Sequence, residues 1–471
     1  MKSLVVAKFG GSAIGPDGAS IPIILQRIDE LRRDAKVIAV FSAPLTMNEG
    51  RPRSLTDIIL EMGRDAAAGR MPDIETIRQV YGRILLAMGL GDDSGCRSLV
   101  RHHLDVAQNN LQQAVTMREF AGEVRSLVLA HAGEILMSHI MARIMKSRGV
   151  KAKSVDLDEW PIITDNNIEF TNFLYSPSKE RLGATEALVR ECEVVSIGGF
   201  IGKTIKGVIT TYERGGSDRT AADIGILFHK KYDVRIDFEK DSAVVSADPK
   251  VVQERLGSVH HLSYNEARLA GMFGMKILDP IVIKEILENG VDIPITITNM
   301  KKVGDTTLVR REIDDSNSHP LKIVTGRRNC AIVRMERDAS QNMQKSLRQK
   351  MRYSEYVVLS PFIRDGTEFS RILFLDGDYV RWGEKYVRSF DPLASITYNR
   401  GVVTMIGDEL WRLRHMVSMA SAKIGEADLN ILNMDAQEET SRITIIVEDA
   451  DDNVADAIRA VHSVRETSLA E

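Results

Sequence analysis

Leu4-Val5-Val6-Ala7-Lys8-Phe9-Gly10-Gly11-Ser12 opens the chain with a short apolar run that ends on a lysine and a glycine pair. Such a run reads as a buried strand, and glycines directly after it as a tight turn into a helix. A second glycine-rich segment far along the chain, Arg214-Gly215-Gly216-Ser217-Asp218, leads into Thr220-Ala221-Ala222, a strong helix start. Glycine has no Cβ, so backbone N–H groups can approach an anion closely. The helix that follows adds unpaired N–H groups and the positive end of its dipole. Two such loops suggest one polyphosphate site assembled from distant segments, and so nucleotide chemistry.

Working outward from Lys8, residues 1–65 alternate β-α-β-α: Leu4–Ala7, a helix with Ile24, Ile28 and Leu31 at helical spacing, a strand at Val37–Phe41, and a helix starting near Ser54. Alternation of this kind predicts a largely parallel sheet with helices on both faces. Residues 66–148 lack strand character and carry helical periodicity, as in Ile77, Val80, Ile84 and Met88. Strands resume at Glu193–Ile197, Val234–Phe238, Ala243–Val245 and Ile293–Ile297, with helices at Thr220–His229, Tyr264–Phe273 and Val282–Glu288 between them. The α/β domain is expected to span 1–310. A second region over 311–471 follows, entered through the loop Asp314-Asp315-Ser316-Asn317-Ser318. Its two stretches, about 320–400 and 401–471, each repeat β-α-β-β-α-β, the ferredoxin-like theme.

With 471 residues the chain exceeds one compact core. Its 62 basic and 66 acidic residues balance, and no like-charge block suggests nucleic acid or a membrane surface. Small-molecule partners are expected. Cys96, Cys192 and Cys330 are scattered and form no CxxC pair, against a disulfide framework or zinc and in favour of a reducing compartment. Residues 1–30 lack the longer apolar region of a secretory signal, and no stretch approaches about 18 consecutive apolar residues. A cytoplasmic location is expected.

Candidate residues carry two readings each. Lys8 beside Gly10-Gly11 suits a charge clamp on a transferring phosphoryl group, or a solvated lysine at a tight turn. No Walker loop or protein-kinase signature is present. Arg214 suits a bidentate fork on a carboxylate, while Ser217 and Asp218 equally suit helix capping. Glu134, at helical spacing from Leu127, His131 and Ser138, puts a carboxylate on a face that begins apolar, and either a substrate ammonium or a structural salt bridge would partner it. Ser42 at a strand end and Thr56-Asp57 at a helix start suit carboxylate binding or plain capping.

In this order the motifs resemble the aspartate kinases, a branch of the amino-acid kinase family. The resemblance rests on Lys8 to Ser12, Ser42-Ala43, Thr56-Asp57, Gly133-Glu134, Ile163 to Asn166, Gly199 to Gly202, Arg214 to Asp218, Ala247-Asp248-Pro249, Leu262-Ser263-Tyr264 and Phe273 to Pro280. It implies a three-layer αβα sandwich followed by tandem ferredoxin-like (ACT) α+β units. It further implies transfer of the γ-phosphoryl group of Mg-ATP to the β-carboxylate of aspartate. Lys8, Asp218 and Lys276 would be catalytic. Lys8, Gly10, Gly11, Ser12, Gly216, Glu239, Lys240, Lys250 and Lys276 would hold ATP with its Mg2+. Ser42, Thr56, Glu134, Arg214 and Ser217 would hold aspartate, with no protein-held metal. A lysine or threonine effector and a homodimer or higher oligomer through the ACT region also follow from the resemblance. The chain departs from the family at Glu239-Lys240-Asp241-Ser242-Ala243, where a Thr-Asp-Val-Asp-Gly-like turn is usual, and at Lys250, Asp279 and Glu213. Two rival readings are a related kinase with another carboxylate substrate and a catalytically weak amino-acid or nucleotide sensor.

Overall fold

The computed structural model describes residues 2–213, 215–312, 319–350, 356–437 and 440–467. Arg214 and the loop 314–318 lie outside the described residues. The chain divides into two compact units: Met1–Ala243 with Glu285–Leu308, and Val244–Lys284 with Val309–Glu471. The stretch 244–284, read from sequence as part of a 1–310 domain, thus groups with the C-terminal part.

In the first unit six parallel strands run side by side within one sheet. They are β1 (Ser3–Phe9), β2 (Lys36–Phe41), β3 (Ala152–Ser154), β4 (Val194–Gly198), β5 (Asp233–Lys240) and β6 (Ile295–Asn299), in spatial order β6-β5-β1-β2-β4-β3. Leu4 to Phe9 and Val37 to Phe41 are buried without a break, as strands covered on both faces must be. Helix α1 (Ile21–Leu31) buries Ile21, Ile24, Leu25, Ile28 and Leu31, a single apolar stripe, and carries Pro22 in its first turn, where no N–H partner is needed. Its Arg27 bonds to Asp237 and Glu239 on one face of the sheet. The helix Gly216–Phe228 reaches Lys8 on the other face through Asp218, so the layers stack αβα.

The strand-free stretch holds α2 (Leu55–Ala67), a helix at Glu75–Ala87, α3 (Ser94–Met117), α4 (Gly122–Leu129) and α5 (Ile135–Ser147). Asp93 caps α3 by accepting from the Cys96 amide at 2.7 Å. The run 122–147 is long and apolar enough for a membrane span by composition, yet 83% of its most apolar window is buried inside the protein. It is a core helix.

In the second unit one antiparallel sheet joins both ferredoxin-like halves. Its strands are β7 (Ile323–Glu336), β8 (Tyr356–Arg364), β9 (Thr367–Phe374), β10 (Ser395–Ile406), β11 (Asn433–Ala436) and β12 (Arg442–Glu448), in spatial order β8-β9-β7-β10-β12-β11. The helices are α7 (Arg337–Lys350), α8 (Gly377–Trp382), α9 (Glu384–Phe390), α10 (Met416–Glu426) and α11 (Asn453–His462). The expected division between 400 and 401 falls inside β10. Residues 323–327 of β7 pair with 402–406 of β10, and residues 330–334 with 395–400. Two cores follow: Ala331, Val333, Ile372 and Phe374 in one, and Val324, Val403, Met405 and Ile445 in the other. The C-terminal half is therefore completed by a strand that precedes the N-terminal half in sequence. The expected strand Ala243–Val245 is reduced to a single bridge, Val245 to Ser258.

Candidate active site

The first unit gathers its chemistry at the C-terminal ends of β1, β2 and β5, where an open parallel sheet presents its ligand crevice. Helix α6 (Gly216–Phe228) begins there, after Gly215 at a φ of 97°, a conformation that glycine tolerates and other residues resist. Lys8 Nζ lies 2.6 Å from Asp218 Oδ1, both side chains being buried. In the parallel register Lys8 stands opposite Phe238 and Phe9 opposite Glu239. Lys240 therefore follows on the Lys8 face of the sheet, at the level of the glycine turn. Burial lowers the pKa of the Lys240 ammonium, with Asp218 opposing that shift and Lys8 adding to it. Asp218 thus lies in the field of two lysines.

The glycine turn is tightly packed. A Cβ at Gly11 would stand 2.9 Å from the Ala43 carbonyl oxygen. Gly10 N-caps the single turn Gly11–Ile14, on which Ser12 is exposed. Ser42, one residue past β2, donates to Ser217 Oγ at 2.9 Å and ties the sheet to the start of α6. A Cβ at Gly199 would come within 2.5 Å of Ser217 Cβ, so only glycine lets the chain after β4 pass α6 at this distance. Thr56, half-buried, sits in the first turn of α2. The long 42–56 loop is a hairpin, Leu45–Asn48 against Arg51–Ser54, turned by Glu49 and Gly50 with φ of 48° and 76°.

Glu134 ends a π-type turn, Ala130–Glu134, between α4 and α5. Turns of this kind free carbonyls from their usual helical partners, and Tyr81 Oη donates to the carbonyls of Ala132 and Gly133 at 3.0 and 2.9 Å. Glu134 is buried, and its Oε2 has no hydrogen-bond partner among the described residues. Burial pushes its carboxyl up to about 7. A buried carboxylate without a cation is costly to ionise.

One expected residue faces away from this group. Glu239 alternates onto the opposite face of β5, where Arg27 Nε donates to it at 2.7 Å. Burial and neighbouring Asp237 push its carboxyl up to about 8 against the pull of Arg27. That contact ties α1 to the sheet. Lys250 and Lys276 are exposed residues of the second unit. Sequence reading missed Arg219. It is fully buried, donates to Glu285 Oε1 from Nε and Nη2 at 3.2 and 2.6 Å, and stacks 4.0 Å from the Tyr212 ring centroid, while Tyr212 Oη donates to Asp223. Arg219 and Asp223 lie four apart on this buried helix, a pattern that signals a buried polar pair.

This sheet-and-loop arrangement coincides with a family model, "Amino acid kinase family", which matches residues 3–299. The chain belongs to the amino-acid kinase family. Among its relatives is aspartokinase 3, chloroplastic, of Arabidopsis thaliana, 23% identical over 481 residues covering 98% of this chain and 81% of the relative. Among solved structures, E. coli aspartokinase III in complex with aspartate and ADP (R-state) matches with a TM-score of 0.79 at 18% identity, covering 98% of this chain and 99% of that one. The same enzyme with lysine and aspartate (T-state) matches with a TM-score of 0.69 at 19% identity, with the same coverage. At these identities the structural likeness speaks for the fold. Lys8, Gly10, Gly11, Ser42, Ser217 and Asp218 gather where β1 and β2 end and α6 begins.

Proposed function

We propose that the chain is an ATP-dependent L-aspartate kinase forming 4-phospho-L-aspartate. The observation that carries this reading is the pairing of a buried, uncompensated Glu134 with the Lys8–Asp218 contact at the glycine turn, in a chain whose relatives are aspartokinases. Glu134 suits the substrate α-ammonium. Arg214, outside the described residues, would take the α-carboxylate, and Ser42, Thr56 and Ser217 the remaining polar contacts.

The β-carboxylate oxygen attacks the γ-phosphorus, the bond from phosphorus to the β,γ-bridging oxygen breaks, and ADP leaves with that oxygen. Aspartate is already ionised at neutral pH, so no general base is needed. Catalysis then consists of alignment and charge neutralisation. Lys8 meets the charge that develops on the transferred group, Asp218 fixes the Lys8 ammonium, and Lys240 adds a second cation. The amides of Gly10, Gly11 and Gly216 suit phosphate oxygens. Mg2+ takes most of its ligands from nucleotide and water and asks for only one or two carboxylates. Asp218 is the carboxylate that would meet it.

Lysine or threonine is proposed as effector and a homo-oligomer through the ACT region as the assembly. The open edges at β8 and β11 are suited to pairing with a second copy. The three free cysteines suit a reducing, cytoplasmic-type compartment. The test is chemical trapping: with ATP, Mg2+ and L-aspartate, added hydroxylamine should yield aspartyl hydroxamate. Absence of hydroxamate while ADP still accumulates would assign the kinase to another acceptor.

A further inference from the structure

In the second unit Arg334 of β7 and Arg371 of β9 are direct partners in the antiparallel register. Like charges on one rung destabilise a sheet. Neither guanidinium has a carboxylate in ion-pair distance among the described residues; nearby Glu368 is taken by Arg337 at 2.7 Å. Instead each arginine lies over a ring. Arg334 is 5.6 Å from the Phe369 centroid, Arg371 is 5.4 Å from that of Phe362, and the two rings stack at 5.6 Å. Arg371 Nη2 donates to the Ser360 carbonyl at 3.1 Å, while its buried Nε has no partner. On the next strand Ser395 stands opposite Arg334, and Thr397 opposite Ile332 two rungs away. Ile332, Arg334, Phe362, Arg371, Ser395 and Thr397 line a cavity of about 320 Å3. It lies on the face turned away from the core, which takes Val333, Ile372 and Ile396 from the same strands.

We propose that this cavity binds a small dianion, a phosphate ester or a dicarboxylate, gripped between Arg334 and Arg371. An anion there removes the repulsion that the bare rung carries. Planar guanidinium groups suit carboxylate and phosphate oxygens, and stacking on Phe362 and Phe369 holds them ready. Ser395 and Thr397 offer neutral donors, and Ile332 with Phe362 covers the carbon part of the ligand. A lysine effector, with its extra ammonium, is repelled by the same pair, so this site is distinct from any lysine site.

The test is calorimetric titration of the full-length protein with inorganic phosphate and, separately, succinate, at constant ionic strength, with lysine as cationic comparator. Saturable binding of at least one dianion is expected at one per chain, and the stronger of the two identifies the ligand class. Arg334→Met and Arg371→Met should each weaken it at least about tenfold while leaving aspartate-dependent turnover in place. Arg371→Met should also raise the ligand-free Tm, because the like-charge rung is gone. Where a Met variant fails to fold, Arg→Lys at the same position keeps the charge, loses the fork, and should still weaken binding severalfold. No saturable binding of either dianion, or binding retained in both variants, overturns the proposal. So does a change of oligomeric mass in the variants without an effect of anion, which would make this face a contact between copies.

Discussion

At the residue scale the account rests on Asp218 holding Lys8 at 2.6 Å while a second lysine, Lys240, shares the same field. Lys8→Ala should leave the fold intact and lower kcat on the order of 10³-fold, the usual loss on removing one electrostatic stabiliser. Steady-state rates at saturating ATP check this. Glu134 makes a prediction of opposite sign in two assays. Glu134→Gln should raise the KM for aspartate at least about tenfold and leave the KM for ATP within a few-fold, since only the ammonium contact is lost. The same change should stabilise the fold. The Glu134 carboxyl is raised from 4.5 to about 7 by burial, so the folded protein binds its proton more tightly than the unfolded chain does. Wild-type stability therefore falls as pH rises through that window, by about 1–3 kcal/mol, and the Gln variant escapes the loss. Melting curves at pH 8 should favour Gln, and the advantage should fade toward pH 4.5; equal Tm at pH 8 would contradict it. Glu134 was legible as a carboxylate on a partly apolar helix face. The π-type turn that presents it was not, because no composition marks an extra residue in a helix. Glu239 and Lys240 were read alike from sequence, and strand alternation separates them: one bonds Arg27, the other faces Lys8.

At the scale of elements, α6 is buried along its whole length and pinned by Arg219 to Glu285. Its N-terminus depends on close passage of the chain after β4. Gly199→Ala would place a Cβ 2.5 Å from that of Ser217, so α6 must shift. A loss of about 1–3 kcal/mol in stability is expected from such overpacking, together with a drop in kcat as Ser217 and Asp218 move. Denaturant melts and rates at matched folded fraction separate the two effects. The parallel strands and α1 were legible because buried strands are continuous apolar runs and the helix carries a three-and-four spacing. β10 was legible only in its second half. Asn399 takes a left-handed φ of 55°, yet the strand runs through it because two ferredoxin-like halves share it. That sharing is a long-range pairing to 323–334, which local sequence cannot announce.

At the scale of the whole molecule the division between units changes what truncation should do. Ala247 and Val252 pack in one core with Leu321, Val403, Met405 and Val461. A chain ending near residue 310 keeps the first two and loses the rest, so it should expose apolar surface and aggregate rather than yield an unregulated enzyme. Light scattering of that truncation checks it, and a monodisperse, active fragment would contradict it. In the full-length protein, lysine and threonine titrated separately should reveal the effector as a fall in rate, since a ligand acts by favouring one conformational state. The measurement that bears most directly on the central claim is ADP release with Mg-ATP and L-aspartate, set against a panel of other amino acids and simple carboxylates, in wild type and Glu134→Gln. The account predicts turnover that depends on aspartate above every other acceptor and needs far more aspartate in the variant. ADP release indifferent to aspartate, or a panel member preferred over it, would contradict the assignment.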